Sequence, residues 1–256
     1  MSLAKLQKSS RREQFSATEW EIRTDLAAAY RLVALFGWDD LIFTHISARL
    51  PGDDNHFLIN PYGMTFDEIT ASSLVKIDLS GEIVGESDYP VNPAGFTIHS
   101  AVHEVRHDAG CVMHLHTAAG TAVATQEEGL LPLNQTALLV REQLAYHEYE
   151  GVALNHDERP RLQKDLGDKD LMLLWNHGTL ALGPTVRDAF LSMYFLERAC
   201  EMQVASLAGG RKLHYPSDSV VEVTAKQGEK GLTAVSGIAW TALLRKLDRQ
   251  LPGYAE

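Results

Sequence analysis

The chain has 256 residues, 45% hydrophobic and 22% charged, with a formal charge of −11 at neutral pH. That length can bury a large core in one domain, and the acidic balance argues against nucleic acid or an anionic membrane as a partner. Two cysteines, each in an apolar stretch, and no apolar run near the roughly 20 residues of a membrane span predict a cytoplasmic protein with reduced thiols.

Residues 1–16 read as a polar N-terminal arm, without the hydrophobic core of a signal peptide. Lys5, Lys8, Arg11 and Arg12 make its basic run too short to reverse the overall charge. From residue 17 to 36, Trp20, Ile22, Leu26, Ala29, Tyr30, Val33 and Leu35 recur near helical spacing, and Gly37 stops the helix. Short β-like segments follow at 41–50, 56–60 and 74–78, separated by turn-rich stretches at 51–55 and 79–82. Asn92 and Pro93, a cap and a first-turn proline, open a helix that reaches Arg106.

Residues 111–117 then read as a strand, followed by a small-residue helix at 117–126. The continuous apolar run 171–175 has strand length, and 179–183 returns from the Asn176-His177-Gly178 turn as its hairpin partner. Residues 185–207 form the longest helical pattern, ended by Gly209 and Gly210, and one more amphipathic helix spans 234–247. The prediction is a single-domain, layered α/β/α fold around a central mixed or antiparallel sheet. It divides into the arm 1–16, the main domain 17–210 and a C-terminal tail 211–256 with one helix.

Within the strand at 111–117, His114 and His116 stand at i and i+2 and project from one face. Two such imidazoles suit a borderline-soft divalent ion such as Zn²⁺, and a third ligand would complete a catalytic-type site. Spacing alone leaves a second reading open, in which both rings are satisfied by hydrogen bonds in a half-buried strand. His99 lies mid-helix and reads as a core histidine or one that orients a metal ligand. His103 and His107, at i and i+4 of that helix, sit among Glu104, Arg106 and Asp108, which predicts a solvated surface for both.

The stretch from Asp25 to Gly210 resembles the class II aldolase/adducin family. The resemblance is carried by His114-Leu115-His116, by Asn176-His177-Gly178 and by Ile98-His99-Ser100-Ala101. Leu130-Leu131-Pro132, residues 146–151 and Ala199-Cys200-Glu201-Met202-Gln203 support it and are nearer the adducin-like branch. It implies that His114, His116 and His177 hold a divalent metal, Zn²⁺ usually, with Mn²⁺ or Fe²⁺ as alternatives. It also implies a lyase-type enzyme for a small oxygenated carbonyl or carboxylate compound, acting by aldol cleavage or decarboxylation through a metal-stabilised enolate. Members commonly form fourfold homo-oligomeric rings, so a tetramer is expected, with Tyr215 or Tyr254 of the tail as a conceivable donor to a neighbour's site.

Two positions depart from the family's pattern. Gly95 stands where the acid/base glutamate is expected, and the Gly-Asn pair of the phosphate-binding segment reads Thr44-His45. The loop Asn60-Pro61-Tyr62-Gly63-Met64 keeps its turn glycine but offers a phenol in place of a small hydroxyl. These departures point away from a standard sugar-phosphate aldolase and toward a non-phosphorylated ligand. The acid/base candidates are then His45, Tyr62 and His147, with Tyr146 beside them; the candidate substrate-binding positions are Ser47, Asn60, Gly63 and Gly95. The alternative is a non-catalytic, adducin-like scaffold, which would have no need of three retained ligands.

Overall fold

Ser16 caps the first helix, α1 (Ala17–Phe36), by accepting the Glu19 amide at 3.1 Å, and Gly37 closes it at φ +70°. Its Leu26–Val33 stretch is buried almost without interruption, because both faces of this segment meet other elements. The structure is a computed structural model that describes residues 12–52, 56–152 and 155–256. The predicted arm up to residue 11 and part of the turn at 51–55 lie outside the described residues.

Among the described residues seven strands make one sheet, in the order β3-β2-β1-β4-β7-β6-β5. They are β1 (His45–Arg49), β2 (His56–Ile59), β3 (Val75–Asp78), β4 (Cys111–Leu115), β5 (Leu144–His147), β6 (Leu171–Leu174) and β7 (Gly178–Gly183). Neighbours run antiparallel except β5 and β6, which run parallel, so the sheet is mixed as predicted. The remaining helices are α2 (Pro93–Val105), α3 (Ala118–Val123), α4 (Gln135–Arg141), α5 (Arg159–Leu166), α6 (Val186–Leu207) and α7 (Asp218–Gln250).

Alternation along the strands sorts the core into two layers. Ile46, Met113, Leu173 and Ala181 face a large cluster with α1, α4, α6 and α7. Val112, Met172, Leu174, Leu180 and Leu182 face a smaller cluster with α2 and α5. The layered α/β/α expectation is met.

Tyr30 pins α1 to the sheet where β1 and β2 diverge. Its buried hydroxyl accepts the amides of Ile46 at 2.7 Å and Asn60 at 3.1 Å and donates to Asn60 Oδ1 at 2.8 Å. One phenol thereby replaces a rung of the ladder.

Some elements differ from the sequence expectation. The strand expected at 41–50 starts only at His45, because Leu41 and Thr44 take positive φ and Asp40 bridges Phe43 first. The helices α4 and α5 and the strand β5 were not anticipated: all three are short, and α5 buries little beyond Leu162 and Leu166. The helix expected at 234–247 is the second half of the 33-residue α7. Its polar first half is held by docking on α4, where a Cβ on Gly228 would come within 2.1 Å of the Leu139 carbonyl. The chain end folds back on the loop after α1's partner strands, with Ala71 N–H donating to Tyr254 O at 2.8 Å and Ser72 N–H to Glu256 O at 2.9 Å. Both cysteines are buried and free, and no helix among the described residues is long and apolar enough to cross a membrane.

Candidate metal centre

His45 and His114 are paired directly across β1 and β4. By alternation His45, Ser47, Val112 and His114 all project toward α2. His116 follows just beyond the end of β4, on the same side. His177 sits on the β6–β7 turn after Asn176, whose φ is +57°. Gly178 lets that turn close on β4, since a Cβ there would lie 2.4 Å from the Leu115 carbonyl oxygen. One nitrogen from each of His114, His116 and His177 lies within 4.8 Å of the others.

The hydrogen bonds around the triad decide which nitrogens face inward. His114 Nδ1 donates to the Thr179 carbonyl at 3.0 Å, and His116 Nδ1 faces Asp40 Oδ2 at 3.2 Å. With both Nδ1 atoms used as donors, each Nε2 keeps a lone pair, and the two meet at 3.0 Å. Burial and neighbouring imidazoles depress the basicity of His114 strongly and push His177 down to about 4. Two Nε2 atoms at this distance, with a nitrogen of His177 within 4.8 Å of both, form a donor set that fits a divalent metal.

A buried carboxyl braces the centre from the far side of the sheet. Glu197 on α6 has no exposed surface and accepts from Thr179 Oγ1 at 2.9 Å and Thr117 Oγ1 at 2.5 Å. Thr117 follows His116 and caps α3 through Gly120 N–H, while Thr179 carries the carbonyl that holds His114. Burial pushes the Glu197 carboxyl up to about 7.

The triad opens into a cavity of about 330 Å³, enough for a small metabolite. His45, Thr44, Asp40, Asn92 and Tyr149 line it beside the three ligand candidates. Neither Lys nor Arg is among its described lining residues. Thr44 is a β-branched residue at φ +65°, and its buried Oγ1 has no hydrogen-bond partner among the described residues. Asp40 and Tyr149 were missed from the sequence, and Thr44 was read only as part of the altered Thr44-His45 pair. Positive φ at Thr44 and the ring contact between Tyr149 and His177 exist only once the loops are folded.

The family model for the class II aldolase and adducin N-terminal domain matches residues 24–204. The chain belongs to this family. A Caulobacter vibrioides protein, provisionally named a class 2 aldolase protein, is 59% identical over 243 residues, 94% of each chain. The crystal structure of an aldolase II superfamily protein from Pseudomonas syringae is 47% identical, with a TM-score of 0.93 over 96% of this chain and all of that one. Alpha-adducin of Rattus norvegicus is 47% identical over 190 residues, which are 73% of this chain but 26% of adducin.

Within this family's fold the other predicted site residues fall into distinct places. His45 lines the cavity with its ring lying over Gly95: a Cβ at position 95 would come within 2.4 Å of His45 Cδ2. Ser47 is buried behind it, bonded to His99 and His103. The surface expected for His103 is corrected, because its ring is 1% exposed and stacks on Phe57, while His107 is exposed. Glu104 points to Arg159 and Gln163, and Arg106 and Asp108 lie beyond the last residue of α2. Asn60 is committed to Tyr30, and Tyr62 and Gly63 lie outside the cavity lining. His147 also stands outside the lining, held between Asp165 at 2.7 Å and Glu158 at 3.3 Å, while Tyr146 donates no group to the cavity and stacks on Trp175. Tyr254 bonds Asp248 of its own chain at 3.1 Å.

Proposed function

We propose that this chain is a divalent-metal-dependent lyase for a small, non-phosphorylated hydroxycarbonyl or carboxylate compound, with His45 as its acid/base group. The observation that carries the reading is the His45 ring filling the space over Gly95, beside the triad. The family resemblance puts the proton-transfer glutamate at position 95. Here an imidazole reaches the same volume from β1.

His114, His116 and His177 would hold the ion, with Zn²⁺ suited to three neutral nitrogens and Mn²⁺ or Fe²⁺ as alternatives. A bound divalent ion supplies Lewis acidity that stabilises negative charge on a substrate's oxygens. His45 takes the hydroxyl proton as a C–C bond breaks and returns it to carbon, a role worth roughly 10²–10⁴ in rate. Asp40 orients His116, and the unpartnered Thr44 hydroxyl offers a hydrogen bond to a ligand oxygen. The absence of Lys and Arg from the described lining favours a ligand without phosphate. Cytoplasmic location and a homo-oligomer, a tetramer by the resemblance, belong to the same reading; sedimentation giving a clean monomer would remove the latter.

Metal analysis of the purified protein and of His114→Ala and His177→Ala is the first test, with about one ion per chain expected only in the wild type. A screen of hydroxycarbonyl and hydroxyacid compounds with and without phosphate follows, and turnover should be confined to the latter group. A protein with no affinity for Zn²⁺, Mn²⁺ or Fe²⁺ would leave the adducin-like scaffold as the better reading. A soaked sugar phosphate held in the cavity beside His45 and the triad would sink the non-phosphorylated assignment.

A further inference from the structure

Three imidazoles and one hydroxyl form an unbroken row of hydrogen bonds behind the cavity. His45 Nδ1 lies 2.8 Å from His99 Nε2, His99 Nδ1 lies 2.6 Å from Ser47 Oγ, and Ser47 Oγ lies 2.7 Å from His103 Nε2. The four side chains are no more than 4% exposed. At the far end the His103 ring stacks on Phe57 with centroids 4.4 Å apart. His99 and His103 are one helical turn apart on α2, and His45 and Ser47 are alternate residues of β1, so the two periodicities bring four polar groups into register. Burial disfavours the charged form of all three imidazoles, with His103 pushed down to about 3.

Counting protons along this row leaves few choices. A neutral imidazole has one N–H and one lone pair, and a serine has a single O–H. Ser47 therefore donates to one of its two histidines and accepts from the other. If it donates to His103, His99 donates to Ser47 and His45 Nδ1 donates to His99, leaving His45 Nε2 a bare lone pair. If it donates to His99, every link reverses and His45 Nε2 carries the proton. Both arrangements leave His103 Nδ1 without a partner among the described residues, and any mixed arrangement adds a further unpaired donor or acceptor inside the row, which is costly in a low-dielectric interior. The state of Nε2, the nitrogen lying over Gly95, is thus tied to the direction of a bond three links away.

We propose that Ser47, His99 and His103 are positioning residues that fix the orientation and tautomer of His45. The inference rests on the acid/base role proposed for His45, and it adds three residues that touch no ligand. An acid/base imidazole works only in the fraction of molecules that hold the right tautomer, so a partner that fixes it raises turnover without touching substrate. A purely structural polar cluster would affect stability and leave the tautomer of His45 alone.

The test is imidazole ¹⁵N NMR on the metal-free and Zn²⁺-loaded protein labelled at histidine, with His45→Gln used to assign the His45 signals. In the wild type His45 should show one protonated and one bare nitrogen. His103→Phe, which keeps the stack on Phe57 but ends the row at Ser47, should draw the two His45 shifts toward each other. Ser47→Ala should do the same, and Ser47→Thr, which keeps the hydroxyl, should retain the wild-type pair. With a turned-over substrate in hand, kcat should fall roughly 10–100-fold in His103→Phe with KM unchanged. An already averaged His45 in the wild type, or unchanged His45 shifts in both His103→Phe and Ser47→Ala, would overturn the proposal. Failure of Zn²⁺ to bind the wild type would remove the metal reading, while the metal-free spectra still decide the tautomer.

Discussion

Position 95 shows how a single side chain acts through the space it leaves. Substituting Gly95→Ala places a Cβ 2.4 Å from His45 Cδ2 and 2.7 Å from Nε2, so the imidazole must leave its position beside His114. Under the proposed function this lowers turnover by roughly 10²-fold or more while Zn²⁺ affinity is kept, a split that titration calorimetry alongside kinetics would measure. In the sequence Gly95 read as a missing acid and a candidate substrate-binding position, because a one-dimensional string does not show which neighbour fills a gap. Glu197 supplies a second residue-level prediction. Its carboxyl titrates at about 7 in the fold, above the unfolded value of 4.5, so the folded state binds the extra proton. Stability from this group is present below the unfolded value and is lost as pH rises through 7, by up to about 3 kcal/mol. Replacing Glu197→Gln removes that slope, and denaturant midpoints at pH 5 and pH 8 should lie closer together than in the wild type.

The elements explain which of these positions could be found beforehand. Two strand residues two apart share a face wherever they occur, so His114 and His116 were read as a pair from the sequence, whereas His103 was paired with His107 and not with His99. That β1 lies beside β4, with α2 across both, was not legible there. His103 was assigned to solvent because Glu104, Arg106 and Asp108 are its neighbours in sequence. Each helical residue turns by about 100°, so Glu104 lies on another face than the ring that reaches Ser47, while Arg106 and Asp108 follow the end of α2 at Val105. β1 itself is held in place by Tyr30. In Tyr30→Phe the buried amides of Ile46 and Asn60 lose their acceptor, and the expected cost is on the order of 2–4 kcal/mol in chemical unfolding. A loss under 1 kcal/mol would show that the two strands re-pair without the phenol.

At the scale of the whole molecule, the triad joins the end of β4 to the β6–β7 turn, so any ion bound there by the folded state alone adds to global stability. Zn²⁺ at one hundred times its Kd should raise stability by about 2.7 kcal/mol, and His177→Ala should abolish the shift in the melting midpoint. The residues at the chain end extend the same fold, since 254–256 pair with 71–72 and α7 lies along α4 and α6.

By itself the sequence determined the local structure: the first helix to its end residues, the histidine strand, the apolar β6, the hairpin around His177 and the long α6. Periodicity and punctuation write those directly into neighbouring residues. Together with the family resemblance it also marked the three ligand candidates. Only the tertiary structure decided that His45 occupies the volume over Gly95, that Thr44 and Asp40 face the cavity, and that His103 is interior. Those facts depend on strand order and on loops with positive φ, where residues far apart in the chain meet, and no local pattern encodes such meetings.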